Sequence, residues 1–194
     1  MNVRIIKLMG LFGLLSPFVG LIMIWIAVLL TPGWSITKDT LSALGGDTFG
    51  NMVFNSGLPM AGALMMLFST GLFEISERRI IGQLGSLLYL LASVIIVALG
   101  VATINVQPIH NYLSVALFVL IPLSLAANSA NLYLMSLKIY AALGILGFIL
   151  SAGIWATPGP VNGLKETVAL IGLAVWQIPL SYWMRMQVDE DEDL

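Results

Sequence analysis

The sequence predicts an all-α integral membrane protein, a bundle of six transmembrane helices with both termini in the cytoplasm. Three observations carry this. There are too few charged side chains to clothe a water-soluble surface. The uncharged tracts have spanning length. Lys and Arg are unevenly shared between the connecting segments.

Of 194 residues, 59% are hydrophobic and only 9% charged, and the mean hydropathy is +0.99. Soluble domains carry roughly 25% charged residues, so the apolar excess here has to face hydrocarbon as well as a core. Residues 8–37, 48–73, 80–137 (His110 aside), 139–164 and 167–184 hold no charge. A spanning helix needs about 20 apolar residues. Four tracts therefore supply one span each, and the long one supplies two. It is divided by Asn105-Val106-Gln107-Pro108-Ile109-His110-Asn111, which is too polar for a bilayer core. The expected spans are 8–30, 52–73, 80–104, 112–135, 139–157 and 166–185, within a single transmembrane domain over 1–186.

The first span follows Arg4 and Lys7, but its apolar run exceeds the roughly 7–15 residues of a signal peptide core. It reads as a retained helix. With the N-terminus inside, Arg4, Lys7, Arg78, Arg79, Lys138 and Arg185 are cytoplasmic, against Lys38 and Lys165 outside. This is the bias that orients cell-membrane proteins. Asp189-Glu190-Asp191-Glu192-Asp193 forms an acidic cytoplasmic tail over 187–194.

A net charge of −2 speaks against nucleic acid as a partner, and the absence of cysteine removes disulfides and thiolate metal sites. Membrane lipids are the expected surroundings, with a small amphiphile as a candidate ligand. Neither a cofactor nor a metal is implied, because a lone histidine is a poor start for a zinc site.

Short turns at Glu74–Arg79 and Ser136–Lys138 make helices 2 and 3, and 4 and 5, antiparallel neighbours. Small residues at spacing four, Gly57/Ala61, Ala126/Ala130 and Gly147/Ser151, are candidates for close helix contact. Ser124, Asn128 and Asn131 share one face of helix 4 and suit interhelical hydrogen bonds.

Most reactive side chains gather in the three longer connections, all at one end of the bundle. The first carries Ser35, Thr37, Lys38, Asp39, Thr40, Ser42 and Asp47, followed by Asn55. The second carries His110, and the third Lys165 and Glu166. The first and third connections look alike: Thr31-Pro32-Gly33 then Lys38-Asp39-Thr40, and Thr157-Pro158-Gly159 then Lys165-Glu166-Thr167. Each acid either favours the positive end of a helix dipole or joins its counterpart in one outer cavity. His110 either begins helix 4 as an interfacial polar residue or acts as an acid–base group beside Asp39 or Glu166. Ser35 and Ser42 lack the Gly-x-Ser-x-Gly elbow of a serine hydrolase.

Trp34-Ser35, Leu41-Ser42-Ala43-Leu44-Gly45, Asn55-Ser56-Gly57-Leu58, His110 and Glu166 occur in the order seen in domain-of-unknown-function family nine-nine-eight. The chain resembles that family over nearly its whole length. The resemblance implies a small multi-pass membrane protein of a mostly archaeal group with six helices, and it supplies no activity.

Three functional readings remain open. A binding or transport protein would hold a lipid or amphiphile with Trp34, Ser35, Ser42, Asn55, His110 and Glu166. A membrane-embedded enzyme would act on a lipid headgroup through His110, Glu166 and Asp39. A structural or assembly subunit would use the same polar residues only to tie loops together.

Overall fold

Short turns and long outer connections dictate an up-and-down path, and the computed structural model follows it. It describes residues 2–76 and 79–188, so Arg78 and the acidic run 189–194 of the tail lie outside the described residues. Six long helices run in order: α1 (Val3–Leu29), α2 (Asn51–Ile75), α3 (Ile80–Val101), α4 (Ile109–Leu134), α5 (Lys138–Gly153) and α6 (Gly163–Arg185). Two short 3-10 helices, η1 (Leu41–Gly45) and η2 (Ile154–Ala156), sit in the first and third connections. All six helices, α5 counted together with η2, are long and apolar enough to cross a membrane. The protein is thus a multi-pass membrane protein.

Each helix packs on the next, and α6 returns to α1, closing a ring. An even number of crossings leaves both termini at one end, together with the two tight turns. The opposite end carries the three longer connections and is called the loop end here. α1 begins at Val3, ahead of the uncharged tract, because Asn2 caps it by accepting from Ile5 N–H. Asn2 N–H also donates to the Glu74 carboxylate, which ties α1 to the end of α2.

Lipid tails are as apolar as leucine, so these helices gain little by hiding apolar surface from one another. Close backbone approach and interhelical hydrogen bonds have to hold them instead. Both are present. On α5, a Cβ at Gly147 would collide with the Gly172 carbonyl of α6, and Ser151 Oγ donates to Ala169 O at 2.8 Å. Gly57 admits Met23 of α1. The pair Ala126/Ala130 does not act this way, since Ala130 is exposed. The neighbouring face of α4 makes the contact: Ser124 Oγ donates to Gly85 O of α3 at 3.1 Å. Asn128 and Asn131 cover Gly85 and Gly82, where no side chain would fit.

The half of the bundle nearer the termini is filled. Phe68, Tyr89 and Trp176 meet at its middle with ring centroids 5.5 to 6.3 Å apart. Ile6, Leu72, Ile75, Leu180 and Met184 continue the packing toward the termini. The turn from α4 to α5 is a Schellman motif: Leu137 N–H reaches Leu132 O and Ser136 N–H reaches Tyr133 O. Ser136 occupies its left-handed position, with φ 63°.

Candidate functional site

Within the loop-end half, the ring is hollow. A partly open space of about 130 Å³ is walled by apolar side chains of α1, α2, α3, α4 and α6, among them Ile24, Phe54, Ile96, Leu117 and Leu173. A wider groove of about 810 Å³ runs along α4 and α5, lined by Val115, Val119, Pro122, Leu123, Phe148 and Trp155. The two meet at Ser42, His110, Ser114, Phe118 and Glu166, which line both. The groove lies where α5 stops. That helix has 16 residues, about 24 Å at 1.5 Å per residue, and the chain then tightens into η2.

The roof of the hollow is the first connection, pulled down onto the start of α6. The first N–H groups of a helix have no partner within it. Here Gly163 N–H donates to Asp39 O at 2.6 Å and Leu164 N–H to Ile36 O at 2.8 Å. Lys165 N–H donates to the capping Asn162 Oδ1 at 3.1 Å. In return, Leu41 N–H, the first of η1, donates to the Glu166 carboxyl. Thr40 caps η1 through Ala43 N–H and brings its hydroxyl within 3.0 Å of Ser42 Oγ. Leu41 and Leu44 pack with Ala27 and Phe54 beneath this roof.

These bonds separate the sequence-expected residues into two groups. Ser42, His110 and Glu166 face the hollow. Trp34, Ser35, Asp39 and Asn55 hold the roof and line neither space. Trp34 Nε1 donates to Thr40 O at 3.0 Å and its ring covers Gly163. Asp39 Oδ2 accepts from Ser35 N–H at 2.8 Å. Ser35 Oγ lies 3.3 Å from Thr37 Oγ1. Asn55 Nδ2 donates to Gly45 O at 2.9 Å. Among the described residues, no three His, Asp or Glu side chains converge where a metal would sit.

The likeness of the first and third connections extends to their turns and ends at their acids. Gly33 and Gly159 both take positive φ, 88° and 98°, which only glycine adopts cheaply. Thr31 and Thr157 both fold their hydroxyls back onto helical carbonyls. Asp39 then serves its own turn, whereas Glu166 reaches across to the other connection. Lys165 is 7% exposed and spends its ammonium on Thr157 O and Gly159 O, at 2.8 and 2.9 Å. Lys38 is exposed.

Two polar groups missed by the sequence reading define the hollow further. Its floor is Gln177, which accepts from Tyr89 OH at 2.6 Å and donates to Gly13 O at 2.9 Å and Ser16 Oγ at 2.5 Å. That amide is fully engaged and joins α1, α3 and α6. A single amide in an uncharged tract was its signal in the sequence. Ser114 stands one turn after His110, on the same face.

The roof differs from the floor. His110 is 4% exposed. Its Nδ1 lies 2.8 Å from Ala102 O; a carbonyl only accepts, so Nδ1 carries the proton. Nε2 has no partner among the described residues, and in the neutral tautomer it is an acceptor. A buried polar atom left unpaired costs about 1–3 kcal/mol. Such a nitrogen, beside Ser42, Ser114 and the Glu166 carboxyl, can take a hydrogen bond or a proton from a bound hydroxyl.

Fold and site together define a six-span membrane bundle with an apolar hollow closed by a polar roof. The model of a family of proteins of unknown function, DUF998, matches residues 14–182, and the chain belongs to that family. No curated protein and no solved structure matches the chain.

Proposed function

We propose that this protein binds an amphiphile, seating an apolar chain in the loop-end hollow and the α4–α5 groove with the polar head under the roof. The observation that supports this most is the unpartnered His110 Nε2 at the junction of two apolar spaces. Ligand pockets are concave and mostly apolar, with a few convergent polar groups. The groove beside α5 gives a chain a route from the bilayer. Six basic residues fall on the side of the termini and two on the other, so in this reading the roof is extracytoplasmic in the cell membrane and both termini are cytoplasmic.

Gly20 offers the test. It lines the hollow, and a Cβ there would meet only Ala61 Cβ at 3.5 Å. Gly20→Leu should fill the space without disturbing the helices. Lipid extracted from the purified wild-type chain and identified by mass spectrometry should include an amphiphile in stoichiometric amount, and Gly20→Leu should lose it. Equal lipid content in the two proteins would sink the reading.

A further inference from the structure

We infer that the headgroup held under the roof is an uncharged hydroxyl, as on a long-chain alcohol or an acylglycerol, and not a phosphate or carboxylate. This rests on the amphiphile reading above and narrows it. In the neutral tautomer, with Nδ1–H directed to Ala102 O, His110 Nε2 is an acceptor without a partner. The Glu166 carboxyl brings further oxygen to the same junction, and the hydroxyls of Ser42 and Ser114 accept or donate as needed. His110 Nε2 offers an acceptor, and Trp155 Nε1, also without a partner and lining the groove, offers a donor; a hydroxyl can serve either, an anion only the second.

Charge points the same way. No lysine or arginine lines either space. The nearest cation in sequence to Glu166, Lys165, has its ammonium turned to the carbonyls of Thr157 and Gly159. Sites for phosphate or carboxylate headgroups depend on arginine, lysine or rows of backbone N–H groups. The first N–H groups of α6, which are the natural candidates, are already consumed by Asp39 O, Ile36 O and Asn162. An anion here would lie between apolar walls with no cation among the lining side chains, where an unpaired charge is costly. An ammonium headgroup would require a buried ion pair, whose desolvation offsets its attraction. A hydroxyl asks for neither.

Among the described polar side chains lining the hollow, the floor offers no opening comparable to that at the roof. Gln177, Tyr89 and Ser16 satisfy one another, so a chain lying in the hollow meets a second polar group that needs nothing from it. The head is thereby directed to the His110 end.

The full-length chain in micelles would be offered hexadecanol, dioleoylglycerol, hexadecylamine, hexadecyl phosphate and palmitate, each at the same mole fraction, with bound ligand read by native mass spectrometry. Hexadecanol or dioleoylglycerol should bind at least about tenfold more tightly than the phosphate and the carboxylate, the scale of one buried hydrogen bond. Which of the two binds identifies the source of the hydroxyl. His110→Asn keeps a donor for Ala102 O and removes the Nε2 acceptor; alcohol binding should fall about tenfold. Glu166→Gln keeps an oxygen for Leu41 N–H and adds an amide donor at the junction, so the preference for alcohol over phosphate should narrow. Tighter binding of phosphate, palmitate or amine would overturn the headgroup assignment while leaving the amphiphile reading standing. Failure of all five probes to bind would defeat the amphiphile reading itself. A preference for alcohol unchanged in both variants would show that the named residues do not set it.

Discussion

The two halves of this bundle solve the same packing problem differently. Toward the termini, the ring is filled by Phe68, Tyr89, Trp176 and the aliphatic side chains beyond them. Toward the loops, α1, α2, α3, α4 and α6 leave a space walled by comparably apolar residues. The polar groups lining the hollow differ between floor and roof as well, although the filled half has its own unpartnered atoms at Trp176 Nε1, Ser181 Oγ and Asn131 Oδ1. Gln177 at the boundary is fully bonded, while His110 at the loop end keeps an open nitrogen. A membrane protein gains no solvent-driven benefit from filling its interior. A hollow in one half and dense aromatic packing in the other therefore separates the part that holds the ring together from the part open to an occupant.

The sharpest way to break that comparison is to hollow out the filled half. Trp176 has no exposed surface, and Trp176→Ala should cost about 3–5 kcal/mol in reversible unfolding from micelles. Gly20→Leu in the other half should leave stability nearly unchanged. Equal losses would mean that the two halves carry the same structural burden. A smaller effect probes the boundary. Tyr89→Phe leaves Gln177 Oε1 without its donor and should destabilise by about 1–3 kcal/mol, with amphiphile content unaffected. If it also emptied the hollow, floor and roof would be one site. The smallest effect lies outside both halves. Ser136→Gly relieves a left-handed residue in the α4–α5 turn and should raise stability by about 0.5–1 kcal/mol without altering binding.

How much of this was legible in the sequence depends on which force acts. The six helices were, because hydrocarbon forbids charges and unpaired backbone, and the polar run from Asn105 to Asn111 marks the break between α3 and α4. The clustering of Ser42, His110 and Glu166 at one end followed from the same threading. Which acid faces the hollow did not. Asp39 and Glu166 occupy matching places in two similar segments, yet one closes a local turn and the other reaches a backbone N–H 125 residues away. No local pattern encodes that choice, because it depends on how η1 settles against α6. The apolar groove beside α5 was hidden for a related reason: Phe118, Phe148 and Trp155 read as ordinary span residues until the short α5 exposes the gap between them.

The staple between Ile36–Leu41 and Asn162–Glu166 also has a consequence for biogenesis. The segment over the hollow emerges from the ribosome early, but its partners are encoded some 125 residues later. At the usual pace of translation that is an interval on the order of ten seconds. During it the first five helices stand in the bilayer with the entrance uncovered, and lipid has free access. The last helix to be made is the one that fixes the roof, so the groove along α4 and α5 is the side left open once the chain is complete.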